Sequence, residues 1–284
     1  MTTTCHPFKN RIPVWIDILL LFILFFATAV AGDEVALSLL HSADRDTIGY
    51  YLYYVPISTT LTFIGILILH RIIDKRPLCE LGLCTYRRFG KYSGIAIAWT
   101  LGIFIIGFLI CLLSGSASVS TIQWHWKDLS LSLVMFTFGA FYEELIVRGY
   151  FLTRLCRTRL NSWESLIISS MLFSILHLAN SGISICAIIN LFLDGILMGY
   201  VFWYTKSLWI PTIAHCAWNW IQGPIFGFKV SGSELFQPII TLNTSSPNLI
   251  NGGEFGFEGS IICTLLMVPS ILIMIKLIRN NNRN

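Results

Sequence analysis

Two adjacent glutamates, Glu143 and Glu144, interrupt the apolar run FGAFYEELIVRGYFL (138–152), and Arg148 follows four residues after the second. On a helix, Glu144 and Arg148 share one face and can form an ion pair. Glu143 is rotated by about 100° from Glu144, because an α-helix has about 3.6 residues per turn. We interpret Glu144 and Arg148 as a structural pair and Glu143 as a carboxylate that is free to act as a general base. The alternative is a packing network of all three residues, since ion networks also occur without catalysis.

Two further apolar stretches carry polar residues at helical spacing. His177 follows Phe173 by four residues in FSILHLAN, and His215 precedes Asn219 by four residues in HCAWNW. An imidazole and a carboxamide on one helix face could donate hydrogen bonds to a single point, which is what an oxyanion site requires. The alternatives are a histidine satisfied within the core for His177, and a polar contact between helices for His215 and Asn219.

Together these side chains predict a site that activates water. Glu143, assisted by His177, would take a proton from water, and the hydroxide would attack a carbonyl carbon. His215 and Asn219 would stabilise the tetrahedral oxyanion. The predicted reaction is therefore the hydrolysis of a peptide bond.

A zinc site is the main chemical alternative, because Glu143, His177 and His215 could supply three ligands. The HExxH spacing is absent from the sequence, and asparagine is a poor ligand for zinc. We therefore favour hydrolysis without a cofactor, and zinc is the metal that the alternative would require.

The composition indicates that membrane helices position these residues. Of the 284 residues, 55% are hydrophobic and 12% are charged, whereas a soluble domain has about 25% charged residues. A helix needs about 20 apolar residues to cross the hydrocarbon core. The candidate stretches are 13–31, 48–69, 93–113, 129–149, 164–180, 183–204, 208–227 and 259–278. The sequence thus predicts an all-α, polytopic membrane protein of about eight transmembrane helices, with 1–284 as a single integral membrane domain.

The basic residues predict the orientation in the membrane. Of the 19 Lys and Arg residues, only Arg45, Lys127 and Lys229 fall on one side of the predicted helices, and all others fall on the opposite side. Because Lys and Arg accumulate in cytoplasmic loops, we expect a multi-pass protein with both termini in the cytoplasm. The sequence has no basic tract interleaved with aromatic residues, so we expect no nucleic-acid partner.

Positions along the predicted helices indicate the depth of the polar residues. Glu143 lies about six residues, or about 9 Å, from the basic end of its stretch, and His215 lies about seven residues, or about 10 Å, from its own. His177 lies about 13 residues, or about 20 Å, from the start of its stretch, so that helix has to begin late or tilt. We expect a polar cavity in the cytoplasmic half of the bilayer and a substrate that approaches from the cytoplasm.

Two expectations concern side chains outside these motifs. The eight cysteines are scattered, and the spacing of Cys79 and Cys84 fits no redox pair, so we expect small buried residues or reduced thiols rather than disulfides. Asp194 is an acid within an apolar stretch, and we expect it to bond to Asn190 one turn earlier.

Three more expectations concern the backbone. Gly195 and Gly199 are spaced to let a neighbouring helix pack closely. Only NSG (180–182) separates the fifth and sixth stretches, which predicts a tight hairpin. The segment 228–258 is the longest polar loop and carries no motif that we can interpret.

Three motifs in this order resemble a known family. Glu-Glu-x-x-x-Arg (143–148), Phe-x-x-x-His (173–177) and His-x-x-x-Asn (215–219) are similar to the motifs of the CAAX prenyl endoprotease and bacteriocin-processing family, also called CPBP or Abi. The similarity is close over 125–225, which would then be the catalytic core helices. The resemblance implies an eight-helix intramembrane endopeptidase.

The resemblance also implies residue roles. Glu143 would be the glutamate that activates water, His177 would assist it, and His215 and Asn219 would form the oxyanion site. The adjacent Glu–Arg pair would support the site. Some members of the family are described as metalloproteases and others as glutamate-dependent enzymes without a metal, so the resemblance leaves the cofactor open.

We expect a bacterial intramembrane protease in the plasma membrane, whose partners are membrane lipid and a membrane-associated peptide or protein. Bacterial members of the family are linked to peptide maturation, bacteriocin immunity and signalling, so we expect no prenylated substrate. The alternative is a non-catalytic membrane scaffold or bacteriocin-immunity protein with the same fold. A transporter would predict inverted repeats, which the sequence lacks. The oligomeric state has no signal in the sequence.

Overall fold

The chain folds into a bundle of helices. The computed structural model describes residues 13–41, 44–45, 47–84, 89–244 and 247–281. The α-helices of this part are α1 (Val14–Leu40), α2 (Ile48–Leu67), α3 (Phe89–Leu113), α4 (Trp126–Glu144), α5 (Thr153–Leu155), α6 (Ser162–Leu176), α7 (Ile185–Thr205), α8 (Trp209–Trp220) and α9 (Ile261–Asn281).

Three of these helices continue into π-helical segments. Ile68–Ile73 follows α2, Leu145–Leu152 follows α4, and Ile221–Ile225 follows α8. The segment after α4 begins directly behind the two adjacent glutamates and joins α4 to α5 without a break. A π-helical segment within a longer helix occurs frequently at a functional site.

The helical runs have the character of membrane helices. Five of them, within the described residues, are long and apolar enough to cross a membrane: Val14–Leu40, Ile48–Ile73, Phe89–Leu113, Trp126–Leu155 and Ile185–Thr205. Large apolar side chains recur every three or four residues on the exposed face of α1, namely Trp15, Leu19, Ile23, Phe26 and Val30. An exposed apolar stripe of this kind fits lipid better than water.

The prediction of a mainly helical, polytopic membrane protein is confirmed. Each of the eight predicted stretches falls on a helix or on a helix with its π-helical continuation. Two helical stretches are apolar but shorter than the five spans, namely Ser162–Leu176 and Ile261–Lys276.

The all-α prediction missed one small sheet. Strand β1 (Ala117–Ile122) pairs with β2 (Ile240–Thr244) in antiparallel register, with Ser118 opposite Asn243 and Ile122 opposite Ile240. Both strands contain β-branched residues, which favour extended backbone, but each is too short to show a clear alternation. The sheet joins the α3–α4 connection to the segment between α8 and α9.

The segment 228–258, which was predicted to be the longest polar loop, also contributes to the core. Its aromatic side chains Phe228, Phe236, Phe255 and Phe257 are all buried. Phe257 packs against Phe104 of α3, with ring centroids 5.2 Å apart. Burial of several aromatic rings makes this segment part of the hydrophobic core.

The tight hairpin predicted around 180–182 is also corrected. α6 ends at Leu176 and α7 begins at Ile185, so the connection spans 177–184. The connection is held by local geometry, because Gly182 adopts a φ of 70° and the Ser184 side chain caps α7 by accepting a hydrogen bond from the Ala187 amide at 3.1 Å. His177 therefore lies at the end of α6 rather than within it.

Close packing at Gly195 and Gly199 is confirmed. A Cβ atom at Gly195 would lie 2.7 Å from Cβ of Ser170 on α6, and one at Gly199 would lie 2.4 Å from Cδ1 of Leu166. Both distances are shorter than van der Waals contact. The two glycines therefore allow α6 and α7 to approach each other closely.

The expectation of reduced thiols was wrong for one pair. Cys79 and Cys84 form a disulfide, and their Cα atoms are 4.9 Å apart, within the usual range for such bonds. The 3₁₀ turn Leu78–Leu81 and the left-handed Gly82 fold the chain back between them. The other described cysteines, Cys111, Cys156, Cys186, Cys216 and Cys263, form no disulfide within the described residues.

A buried group of charges joins α1, the end of α2 and the end of the α4 run. Arg154 lies 3.3 Å from Asp17 and also forms an ion pair with Asp74, and the Tyr150 hydroxyl donates to Asp17 at 3.3 Å. Asp17, Asp74, Tyr150 and Arg154 are all buried. We call these four residues the basal ion network.

A second ion pair borders the basal ion network. Arg157 pairs with Glu80, which lies between the two bonded cysteines, and Arg76 lies 3.6 Å from the same carboxylate. Burial lowers the pKa of Arg157 to about 10, and the nearby positive charge of Arg154 acts in the same direction. Arg157 therefore remains charged at neutral pH, and the pair stays ionic.

Candidate active site

Glu143 lies between two histidines. One carboxylate oxygen, Oε2, is 3.6 Å from Nε2 of His177 and 3.8 Å from Nε2 of His215. The Glu143 side chain is 33% exposed, and within the described structure its Oε2 has no hydrogen-bond partner. The structure thus brings together three residues that the sequence places on three separate helices.

His177 is oriented by its own helix. Its Nδ1 donates a hydrogen bond to the Phe173 carbonyl at 2.7 Å, and because a carbonyl can only accept, Nδ1 carries a proton. Nε2 therefore faces Glu143. The Phe173 ring is buried and covers the Arg148 guanidinium, with Cζ 4.3 Å from the ring centroid. The first and last residues of the Phe-x-x-x-His motif thus meet through a backbone oxygen.

Glu144 is shared between two cationic or polar partners. Its Oε1 accepts a hydrogen bond from Nη1 of Arg148 at 2.6 Å and another from Nδ1 of His215 at 3.1 Å. Glu144 and Arg148 are fully buried, and His215 is 7% exposed. The predicted Glu144–Arg148 ion pair is confirmed. The bond to His215 was not predicted, because it depends on how α4 packs against α8.

Asn219 lies one turn beyond His215 on α8. Together with Glu143, His177 and His215 it lines a cavity of about 220 Å³. The remaining wall comes mainly from α2, from the middle of α4 and from the segment that follows α8. The two adjacent glutamates divide the roles of the site, since Glu143 faces the cavity and Glu144 is sealed beneath it.

The comparison with known proteins supports these motifs. Residues 124–221 match the family model described as type II CAAX prenyl endopeptidase Rce1-like. The segment 124–221 is therefore similar to the CAAX prenyl endopeptidase family. The matched segment contains every residue of the three motifs. Neither a curated protein nor a solved structure matches the chain.

The zinc alternative within the CAAX family can be tested against the geometry. Two imidazoles with bonded Nδ1 atoms and a carboxylate are a donor set that zinc accepts. Oε2 of Glu143 is 3.6 and 3.8 Å from the two imidazole nitrogens, and ligands about 2.1 Å from a tetrahedral zinc lie about 3.4 Å apart. Among the described residues, no group of three or more His, Cys, Asp or Glu has a geometry that could hold a metal ion. We therefore derive no step through a metal.

The expected bond between Asp194 and Asn190 is replaced by other contacts. The Asn190 amide donates to the carbonyls of Glu258 at 2.7 Å and Ser260 at 2.8 Å, and it accepts from Thr264 at 2.6 Å. Asp194 instead lines a second, small cavity of about 20 Å³ next to the two histidines. A polar cavity of this size can hold one water molecule.

Glu258 is a buried acid near the CAAX-family motifs that the sequence did not single out. Its Oε1 accepts from Trp218 Nε1 at 3.0 Å, and its Oε2 accepts from the amide and the hydroxyl of Ser231 at 3.0 and 2.9 Å. Glu258 lines the same small cavity as Asp194. The sequence did contain a signal for Glu258, because FGFEG places one acid among glycines and aromatic residues.

Proposed function

We propose that this protein is an intramembrane endopeptidase that hydrolyses a peptide bond with water activated by Glu143. The observation that carries the proposal is the position of the Glu143 carboxylate, within 4 Å of two imidazoles and open to a cavity that Asn219 also lines. In this proposal all eight helical runs cross the membrane. The similarity of residues 124–221 to the CAAX prenyl endopeptidase family supports the reaction class.

Glu143 acts as the general base, with His177 beside it. In the neutral form of His177 the proton lies on Nδ1, which donates to the Phe173 carbonyl, so Nε2 is an acceptor, as is the Glu143 carboxylate. A water molecule between them can donate one hydrogen bond to each, which fixes its orientation. Glu143 takes one proton as the water oxygen forms a bond to the carbonyl carbon of the substrate.

His215 and Asn219 stabilise the oxyanion. Since Nδ1 of His215 bonds to Glu144, Nε2 can donate only when the ring is doubly protonated. The local charges favour that form: Glu143 and Glu144 are negative, Arg148 is positive, and one imidazolium brings this group to neutrality. The Asn219 amide supplies the second donor. Two donors aimed at the developing charge lower the barrier by electrostatic stabilisation.

Collapse of the tetrahedral intermediate completes the reaction. The carbon–nitrogen bond breaks, and Glu143 returns its proton to the leaving nitrogen. The products are a carboxylic acid and an amine, and Glu143 is again a carboxylate. The cycle consumes one water molecule and needs no other reactant.

The cellular setting is part of the proposal. We propose a bacterial plasma membrane, both termini in the cytoplasm, and a membrane-associated peptide or protein as substrate. The apolar cavity wall, which includes Val55, Met135 and Phe136, supports a hydrophobic substrate segment. We propose no prenyl group on that segment.

The test compares peptides from cells that express the wild-type protein or Glu143→Gln, by mass spectrometry of peptide termini. Glu34→Gln is the matched control, because Glu34 is exposed on α1 and far along the chain from the motifs. We expect a set of peptide termini that disappears in Glu143→Gln and persists in Glu34→Gln. If both variants retain every terminus at normal protein level, the enzyme proposal fails and a non-catalytic scaffold or immunity protein takes its place. A zinc chelator added to purified wild-type protein tests metal dependence separately.

A further inference from the structure

The cavity at Glu143 extends toward one end of the bundle. Its wall includes Tyr51 and Val55 near the start of α2, and Met135 and Phe136 from the middle of α4. The rest of the wall is largely the segment 223–238, which follows α8. The parts from α2 and from 223–238 adjoin the connections before α2 and after α8. The cavity therefore opens toward the end of the bundle that holds β1 and β2.

The opposite end is closed beneath the site by packed side chains and backbone. Leu81 and Leu208 are fully buried, and the Leu208 amide donates to the Gly82 carbonyl at 2.8 Å. A Cβ atom on Gly149 would lie only 3.3 Å from the Leu81 carbonyl. The loop around Leu81 thus packs directly on the α4 run, one and a half turns below Glu143. A substrate cannot pass through such dense packing.

The position at which α6 ends also indicates that the cavity opens toward the end that holds β1 and β2. His177 stands at the C-terminal end of α6, and the connection that follows packs against 228–258. A Cβ atom on Gly232 would lie 2.0 Å from the Ser181 carbonyl, which shows how closely the two segments approach. His177 thus lies farther from the basic end of α6 than we would expect if the site were in the cytoplasmic half of the bilayer.

The two ends of the bundle differ in the number of basic residues. By sequence, the connections of the closed end carry the clustered basic residues, whereas those of the open end carry Arg45, Lys127 and Lys229. Arg45 is bound to Asp33 at 2.7 Å, and Lys229 is bound to Glu254 at 2.5 Å. By the positive-inside rule, the closed end faces the cytoplasm and the open end faces away from it.

We infer that the substrate reaches Glu143 from the extracytoplasmic side, along a wall formed by 227–238. The substrate class is then an exported peptide, or the extracytoplasmic segment of a membrane protein. This inference rests on the proposed function and reverses the cytoplasmic approach that the sequence predicted. Among the described residues that line the cavity there is no Lys or Arg, but Glu143 and Glu234 are acidic. An apolar segment with a positive charge complements that wall.

One observation weighs against this orientation. The bonded pair Cys79–Cys84 lies at the closed end, and disulfides are rare in a reducing cytoplasm. The distribution of basic residues extends over every loop of that end, whereas the disulfide is a single local feature. We therefore give the charge distribution the greater weight, and the experiment decides between the two.

The first part of the experiment labels single cysteines in intact cells. Ser233→Cys places a thiol on the cavity wall, and Arg159→Cys places one on the closed end; both positions are exposed. The background variant has its native cysteines replaced and retains the Glu143-dependent peptide termini. A membrane-impermeant maleimide should label Ser233→Cys in intact cells, and Arg159→Cys only after the membrane is permeabilised. The reverse pattern overturns the inference.

The second part measures cleavage in the same cells. We expect maleimide on Ser233→Cys to lower the abundance of the Glu143-dependent termini by at least tenfold. We expect these termini to map to exported or extracytoplasmic sequences. If labelling leaves cleavage unchanged, or if the termini map to cytoplasmic sequences, the inference fails and the proposed function stands. If Glu143→Gln removes no termini, the proposed function fails and the inference fails with it.

Discussion

The active-site group and the basal ion network are both polar clusters inside an apolar bundle, yet they are built differently. In the basal ion network, Arg154 is placed between Asp17 and Asp74, and every member is buried. In the active site, Glu143 stands 3.6 and 3.8 Å from its neighbours and is one third exposed. One cluster is closed and closely paired, and the other leaves a carboxylate facing a cavity.

The difference teaches how buried charge can be used in two ways. A closed ion pair recovers part of its desolvation cost through short contacts, and it holds together the elements that supply the partners. An acid with longer contacts keeps acceptor capacity for a reactant. Glu144 belongs to the first type and Glu143 to the second, although the two residues are adjacent in the chain. We therefore expect changes in one cluster to alter activity and changes in the other to alter stability.

The largest effect is expected for Glu143→Gln. A glutamine cannot accept the proton from water, so we expect the rate of cleavage to fall by about 10²–10⁴-fold. The measurement is the amount of Glu143-dependent product per amount of protein, by quantitative mass spectrometry. Unfolding in mixed micelles, followed by tryptophan fluorescence as SDS is added, should be unchanged. A parallel loss of stability would show that Glu143 is structural.

Arg154→Met should lower the stability of the fold rather than act on the catalytic step. Removing the guanidinium leaves Asp17 and Asp74 buried without their cation, which should lower the free energy of unfolding by about 3–5 kcal/mol. The same SDS titration measures it. As a control, Arg154→Met combined with Asp17→Asn should recover part of the loss, because one unpaired charge is removed. An unchanged midpoint for the single variant would contradict a structural role for the network.

Asn219→Ala tests the oxyanion site. Loss of one donor should lower kcat by about 10²–10³-fold with little change in KM, because Asn219 acts on the transition state. Kinetics on a peptide that carries the mapped cleavage site would measure both constants. A rise in KM with an unchanged kcat would instead assign Asn219 to substrate binding.

The smallest effect is expected for Glu80→Gln. Its carboxylate pairs with Arg157 but its side chain is 26% exposed, and a solvent-accessible ion pair contributes about 1 kcal/mol or less. The SDS midpoint should therefore shift by much less than in Arg154→Met, and cleavage should stay at the wild-type rate. A loss as large as that of Arg154→Met would mean that the two ion pairs act as one unit.

Local spacing allowed much of the site to be predicted from the sequence. The i,i+4 relation of Glu144 and Arg148 is a property of one helix, so the ion pair could be inferred before the helices were packed. The same holds for Phe173 and His177, and for His215 and Asn219. The eight apolar stretches were visible because membrane helices need long runs of apolar residues.

Contacts between distant segments could not be predicted. The bond from His215 to Glu144 depends on the register of α4 against α8, and the basal ion network joins residues far apart in the chain. Glu258 escaped notice because its partners lie in a loop that has no periodic pattern. The direction of the cavity depended on where α6 ends, and helix ends are the least predictable feature of a sequence.

The π-helical segment Leu145–Leu152 links the two clusters in one more respect. Residues of an α-helix are rotated by about 100° from one to the next, so the number of residues between Glu143 and Arg154 fixes the angle between the cavity and the Asp17–Asp74 pair. Within Leu145–Leu152 each residue turns the chain by less than that angle, because the backbone bonds of a π-helix span five residues instead of four. The wider turn therefore takes part in setting the direction of Arg154 relative to Glu143, so the backbone geometry of one segment couples catalysis to assembly.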